Sequence, residues 1–308
     1  MVRKFKPIST SATTPVENKK RKELLVKVPK KENILFIGSE NFYNSFWLKM
    51  MFISAAHAMA RDSSRFRQAD KKTLAYVDSG YTRIEKLTLD YLQKELGFEI
   101  KKLASSSDLI ACLNSDRQEY KLQDVVFFCH GEPGRIALNY WSSAEVDLDL
   151  GNFTQVSANA FLPNGRLFSF ACRTGVYVSK NKFDSEAEAK PEESLAQKMA
   201  NHFHIEVHAF LRRSYYGDVL REKSQSEVIS STLKAERESK EGNVIQIPPE
   251  HEALPHPGLD DSLNPWRGSK REGTVGYALW RKRGGRTLPT AAETPTGLPT
   301  EMRVFRPA

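Results

Sequence analysis

The stretch DVVFFCHG (residues 124–131) decides the fold, read together with RLFSFACRTG (166–175). Each is an apolar run followed by a chemically active residue and a glycine. Runs this apolar, with no alternation, fit strands buried on both faces, as in a parallel sheet covered by helices. Outward from them the pattern repeats: NILFIG (33–38), TLAYVD (73–78), FEIKKL (98–103) and IEVHAFL (205–211) read as further buried strands. Helical periodicities separate them. Residues 44–60 carry Phe46, Met50 and Ile53 on one face, and 82–96 carry Ile84, Leu87 and Leu92 and stop at Gly97. Residues 105–107 supply serine caps for a helix bearing Leu109, Ile110 and Leu113, and 192–202 places Leu195, Ala196 and Met199 together. This alternation predicts an α/β fold, a mostly parallel sheet flanked by helices in an α/β/α sandwich. Arg135–Tyr140 and Glu145–Leu150 alternate apolar and polar, and predict a surface β-hairpin after the strand that leads to His130.

Composition narrows the class. The 308 residues are 40% apolar and 27% charged, which excludes a wholly disordered, collagen-like or membrane-embedded chain. The net charge of +8 sits in residues 1–31, with ten Lys/Arg against two Glu; the rest balances at 36 of each sign. The basic cluster Lys19-Lys20-Arg21-Lys22 therefore belongs to a Ser/Thr/Pro/Lys-rich arm, read as a disordered tail. The expected organisation is the arm at 1–31, a folded domain at 32–250 and a Pro/Gly/Arg-rich extension at 251–308 that packs on the core or binds a partner. Within the extension VGYALW (275–280) reads as a strand, and 180–191 and 221–243 read as long polar loops. The best membrane candidate, 41–60, contains Asn44, Lys49 and His57, so no membrane insertion is expected. Three cysteines, Cys112, Cys129 and Cys172, are too few for a secreted disulfide framework. A cytoplasmic protein is expected, with a secreted effector as the alternative. No cysteine–histidine spacing suggests a metal, and no cofactor is expected.

In open α/β sheets a ligand site lies beyond the carboxyl ends of the strands. There the chain delivers His130-Gly131 after one strand and Cys172-Arg173-Thr174-Gly175 after another. A thiolate nucleophile needs a neighbouring imidazole to take its proton and later give it to a leaving amine. Gly131 leaves room for substrate, and its N–H with that of Cys172 can meet a developing oxyanion. Cys129 precedes His130 and points the other way, so it reads as structural, as does Cys112 on its helix. His202, His204 and His208 read as surface or packing residues.

These blocks resemble the caspase-like cysteine peptidases. VVFFCHG carries the strand–His–Gly block and LFSFACRTG the strand–Ala–Cys block, with His130 and Cys172 separated by 42 residues. Phe170 and Thr174 depart from the caspase nucleophile signature. The run EESLAQKMANHFHIEVHAF (192–210) is closer to the bacterial CHAT-type branch. The resemblance covers roughly 73–220; 33–61 and 251–308 have no counterpart in it. It implies a caspase-like sheet and a Cys172–His130 dyad acting on protein or peptide substrates without metal. It also implies a specificity pocket for the residue before the cut, P1. Asp78 would favour a basic P1. Arg212, Arg213 and Ser214, after the strand that follows Cys172, would favour an acidic one. The reading leans to a basic P1. The loop at 180–191 would then hold self-cleavage sites after Lys180, Lys182 or Lys190.

Two other classes compete. A caspase-like domain can be a silent scaffold or partner-binding module in a defence or effector system. The basic arm and Arg281-Lys282-Arg283 allow nucleic-acid contact or an anionic activating partner, but the neutral remainder weighs against nucleic acid as the main ligand.

Overall fold

The computed structural model describes residues 28–41, 46–62, 66, 68–140, 142, 144–220, 223–239, 247 and 288–308. Seven strands form one sheet: β1 (Lys30–Ile37), β2 (Lys71–Val77), β3 (Glu99–Leu103), β4 (Tyr120–Phe128), β8 (Phe161–Ser169), β9 (Glu206–Ala209) and β12 (Arg303–Phe305). Their order is β12-β9-β8-β4-β1-β2-β3. All neighbours are parallel except the antiparallel pair β12–β9.

Helices cover both faces. On one side lie α1 (Phe46–Lys49), α2 (Met51–Asp62), α3 (Arg83–Leu96) and α6 (Lys223–Arg237); on the other lie α4 (Ser106–Asn114) and α5 (Leu195–Phe203). Alternate strand residues feed the two cores. Ile34, Phe36, Val125, Phe127, Leu167 and Val207 pack toward α4 and α5. Leu35, Ile37, Val126 and Phe128 pack toward Trp47, Phe52, Leu89 and Val228. Phe36 and Phe127 are in register on β1 and β4, and their rings stack with centroids 4.7 Å apart. The fold is thus an α/β/α sandwich with a mostly parallel sheet, built on the apolar runs of the sequence.

Local chemistry sets the helix ends. Thr82 and Glu85 form a reciprocal capping box at the start of α3, and Gly97, with φ 68°, closes it in the left-handed region that glycine enters freely. Ser105 accepts the Asp108 N–H at the start of α4, and Ser194 accepts the Gln197 N–H at the start of α5. Beyond β4 the chain forms β5 (His130–Glu132), β6 (Arg135–Ala137) and β7 (Asp147–Asp149), a small antiparallel sheet. It contains the hairpin expected from the alternating pattern.

Several expectations are corrected. Residues 223–237 are helix α6 rather than loop; its buried stripe is Val228, Ser231, Thr232 and Ala235. β1 begins at Lys30, inside the stretch read as disordered arm, and Lys30 pairs with Glu119 at 2.7 Å. The segment without a counterpart in the resemblance supplies β1, an interior strand of the sheet between β4 and β2. The loop at 180–191 is organised, with buried Phe183 and Ala189 and two short 3₁₀ turns at Ala187–Ala189 and Pro191–Glu193. The end of the chain packs on the core. β11 (Thr290–Ala291) pairs with β10 (Ser214–Tyr215), and β12 completes the sheet at β9. The basic cluster at 19–22, the Arg281–Arg283 run and the strand expected at 275–280 lie outside the described residues.

Candidate active site

The strand order reverses between β1 and β4: β2 and β3 follow on one side, β8 and β9 on the other. Such a switch point opens a crevice at the carboxyl edge, where ligands bind in α/β sheets. His130 leaves β4 beside it. β8, which leads to Cys172, is the direct parallel neighbour of β4, with Phe127 opposite Ser169. The two blocks singled out in the sequence are therefore adjacent in space.

Gly131 is the contact between them. A Cβ on Gly131 would lie 2.7 Å from the Ala171 Cβ, 2.9 Å from the Cys172 carbonyl oxygen and 3.1 Å from the Cys172 nitrogen. Only glycine permits this approach. The Cys172 N–H has no hydrogen-bond partner among the described residues, which suits an oxyanion donor.

The sulfur and the imidazole each have a polar neighbour. Ser214 donates its backbone N–H to Cys172 Sγ at 3.2 Å, and its Oγ lies 3.2 Å from the same sulfur. Ser214, expected as a pocket residue, thus sits on the thiol itself. His130 Nε2 lies 2.8 Å from Glu40 Oε2, a carboxylate only 1% exposed. The imidazole is wedged edge-on between Phe52, centroids 5.0 Å apart, and the tilted ring of Tyr140 at 5.5 Å. With Nε2 directed at Glu40, Nδ1 is the nitrogen left for proton exchange, and it has no hydrogen bond to a described residue. No hydrogen bond joins Sγ to the imidazole.

Glu40 is the residue that sequence reasoning missed. It follows β1 as His130 follows β4, so the same post-strand rule reaches it through NILFIG-Ser39-Glu40. The loop that carries it is pinned by Gly38 N–H to Phe128 O at 2.8 Å and Ser39 N–H to Leu138 O at 2.6 Å. A Cβ on Gly38 would meet Cys129 Cβ and Leu138 O at 2.6 Å, so glycine is needed here as well.

The candidate pocket residues separate. Asp78 does end β2, but its carboxylate is already engaged. It accepts from Tyr76 at 3.0 Å and Lys86 at 3.2 Å, and Lys102 lies 3.6 Å away. Burial opposes ionisation, yet the Lys86 and Tyr76 hydrogen bonds and the Lys102 charge hold its carboxyl below the usual range. Arg212 spends its guanidinium on the backbone, donating to Leu298 O at 2.6 Å and Glu293 O at 3.0 Å. Arg213 is exposed, with its backbone fixed by Thr294 O and Ala292 N–H at 2.7 Å each.

The self-cleavage candidates lie on a braced loop. Lys182 forms a parallel bridge with Thr296, Thr296 N–H donates to Asn181 O, and Phe183 N–H donates to Thr296 O. Lys180 lies 3.9 Å from Glu188, and Lys190 pairs with Glu193 at 2.8 Å.

Cys129 is fully buried and Cys112 is buried on α4, where burial pushes its thiol up to about 11. His202 reaches Val156 O at 2.8 Å, His204 ends α5 with a left-handed backbone, and His208 stacks on Phe168 at 4.5 Å. Among the described residues no group of three or more His, Cys, Asp or Glu is placed to hold a metal ion, and no helix is long and apolar enough to cross a membrane. In comparison with known proteins, no family model and no curated protein matches the chain, so the functional reading stands on these residues and their geometry.

Proposed function

We propose that the chain is a cysteine endopeptidase in which Cys172 is the nucleophile and His130 the general base and acid. The observation that carries this is the delivery of His130-Gly131 and Ala171-Cys172, backbone against backbone, from adjacent parallel strands at the sheet's carboxyl edge. The resemblance to caspase-like peptidases of the CHAT-type branch, read from the same residues, points the same way.

In this reading His130, oriented by Glu40, takes the Cys172 proton at Nδ1. The sulfur attacks the scissile carbonyl carbon, an S–C bond forms, and the carbonyl π pair moves to oxygen, met by the N–H groups of Cys172 and Gly131. Collapse breaks the C–N bond as His130 protonates the departing amine. Water then attacks the thioester while His130 takes its proton, and sulfur leaves as thiolate. No step needs a metal. Ser214 supports the reading because its N–H stabilises negative charge on the sulfur. Substrate is a protein or peptide with a charged P1 residue. Processing of the chain itself in the 180–191 loop is part of the proposal, and at Lys182 it requires release of the Thr296 contacts.

The test is turnover of fluorogenic peptides by wild type, Cys172→Ala and His130→Ala. Cleavage by wild type alone is expected; equal turnover by Cys172→Ala would end the reading. Intact mass of wild type beside Cys172→Ala checks self-cleavage: two uncut chains would remove it.

A partner-binding scaffold is the second reading. It is favoured by the sulfur and the imidazole each bonding another residue and not each other. Silence towards every peptide, together with a Cys172 inert to iodoacetamide at neutral pH, would favour it.

A further inference from the structure

The strands that deliver His130 and Cys172 lose their ladder just before both residues. The β4–β8 pairing runs to Phe127 opposite Ser169, and its last rung is Phe170 N–H to Phe127 O at 3.0 Å. Beyond that rung the carbonyls of Cys129 and Phe170 receive no backbone N–H from a described residue. Cys129 directly precedes His130, and Phe170 directly precedes Ala171-Cys172. One side chain meets both carbonyls. The Tyr216 hydroxyl donates to Phe170 O at 3.1 Å and to Cys129 O at 3.4 Å. Both distances exceed the usual O–H···O length, as suits one proton shared between two acceptors. Tyr216 is buried, and burial pushes its hydroxyl well above the ordinary value, so it keeps the proton and stays a donor.

The ring of the same residue reaches the imidazole through one intermediary. It meets Phe52 edge to face, with centroids 4.9 Å apart and planes at 89°. Phe52 meets His130 in the same manner, at 5.0 Å and 90°. Such contacts have a preferred geometry, so each ring constrains the next. Tyr216 belongs to neither strand. It directly follows β10, which is paired with β11, and its carbonyl accepts the Val219 N–H at 3.0 Å. Ser214, two residues earlier on this arm, holds the Cys172 sulfur. A third segment of the chain thus touches the ends of both strands, the thiol and the wall of the imidazole.

We infer that Tyr216 is a positioning residue for the reaction: its hydroxyl clasps β4 and β8 at the carbonyls before His130 and Ala171-Cys172, and its ring sets the imidazole through Phe52. This rests on the peptidase reading of Cys172 and His130. Removing the hydroxyl leaves two buried carbonyls without their donor, at the point where nothing else in the ladder joins the strands. The strand ends are then free to shift, and a small shift between reacting groups lowers turnover far more than substrate binding.

The experiment measures kcat and KM separately on the fluorogenic peptide that wild type cleaves best, well below each protein's melting temperature. The proteins are wild type, Cys172→Ala, Tyr216→Phe, Phe52→Leu and, as a control for lost stability, Thr88→Val, whose buried hydroxyl bonds Thr232 and no residue of the site. Tyr216→Phe is expected to lower kcat about ten- to thirty-fold with KM within twofold, and Thr88→Val to leave both within twofold. Placing 4-aminophenylalanine at position 216 restores a ring-borne donor and is expected to recover most of the lost kcat. A kcat within twofold of wild type in Tyr216→Phe, a loss carried by KM alone, or an equal loss in Thr88→Val would overturn the inference and leave the peptidase reading intact. If Tyr216→Phe does not fold, Phe52→Leu carries the test, because it loosens the imidazole wall and spares both carbonyl bonds; an unchanged kcat there would overturn the inference. Absence of Cys172-dependent cleavage of every peptide and of Cys172 labelling by iodoacetamide would remove the peptidase reading, and the role of Tyr216 with it.

Discussion

Replacing Gly131 with alanine tests the contact on which the site is built. The new Cβ would lie 2.7 Å from the Ala171 Cβ, 2.9 Å from the Cys172 carbonyl oxygen and 3.1 Å from its nitrogen. Carbon–carbon contacts settle at roughly 3.5–4.0 Å, so the two backbone segments must part by about 0.8 Å or more. Both are anchored, Gly131 in the β5–β6 pairing and Ala171 between the sheet and Arg173. The overpacking is expected to cost about 1–3 kcal/mol of stability, read as a lowered denaturation midpoint with an unchanged m-value. A displacement of this size at reacting groups is worth about a hundred-fold in kcat. The assay is kcat on the best peptide well below the melting temperature, beside Gly151→Ala. At Gly151 the nearest atom to the new Cβ is Asp149 Oδ1 at 3.3 Å, so little change is expected there. If Gly131→Ala folds with wild-type stability and keeps kcat within twofold, then the close approach of the two blocks is not what organises the site.

Three further outcomes follow from the same geometry. Iodoacetamide at neutral pH should add one adduct per chain, at Cys172, because burial holds the Cys112 thiol near 11 and that of Cys129 well above its ordinary value; adducts on two cysteines in the native protein would contradict this. Glu40→Gln should lower kcat about ten- to hundred-fold with KM little changed, since Glu40 positions His130 and touches no substrate; an equal rise in KM would assign it to binding instead. Burial holds the His208 imidazole below its ordinary value despite Glu206, so the unfolded chain binds its proton more readily than the folded one; stability should fall as pH drops through about 6.5, and His208→Gln should flatten that part of a urea-midpoint profile, whereas an unchanged profile would refute it.

What the sequence made legible was whatever depends on apolarity and order along the chain. Runs such as DVVFFC and RLFSFA identify buried strands because nothing in them alternates, and the residues after them fall at one edge because the sheet is parallel. His130 and Cys172 are found that way, and Glu40 lies within reach of the same rule. Sheet order is not written in apolarity, so NILFIG reads as a strand without revealing that it lies between β4 and β2, at the point where the strand order reverses. Helix α6 hides for a different reason. Its buried stripe satisfies itself by hydrogen bonds, Ser231 with His57 at 3.0 Å and Thr232 with Thr88 at 2.9 Å, and such residues look solvated in a sequence. Asp78 misleads because its neutralising lysines come from elsewhere, Lys86 on α3 and Lys102 on the neighbouring strand β3.

The pairings of β11 with β10 and of β12 with β9 have a consequence for how the molecule is made. Both join segments far apart along the chain, and closure over such separations is slow compared with local helices. The backbone of Arg213 is fixed on both sides by Ala292 and Thr294, and Ser214 faces Ala291. The hydrogen bond from Ser214 to the Cys172 sulfur therefore has its fixed frame only when the β10–β11 pair is closed. Until then β9 is an open sheet edge, free to pair with another chain. A chain in which these pairings are open exposes a sheet edge to self-association and at the same time loses the frame that holds the Ser214 N–H on the Cys172 sulfur.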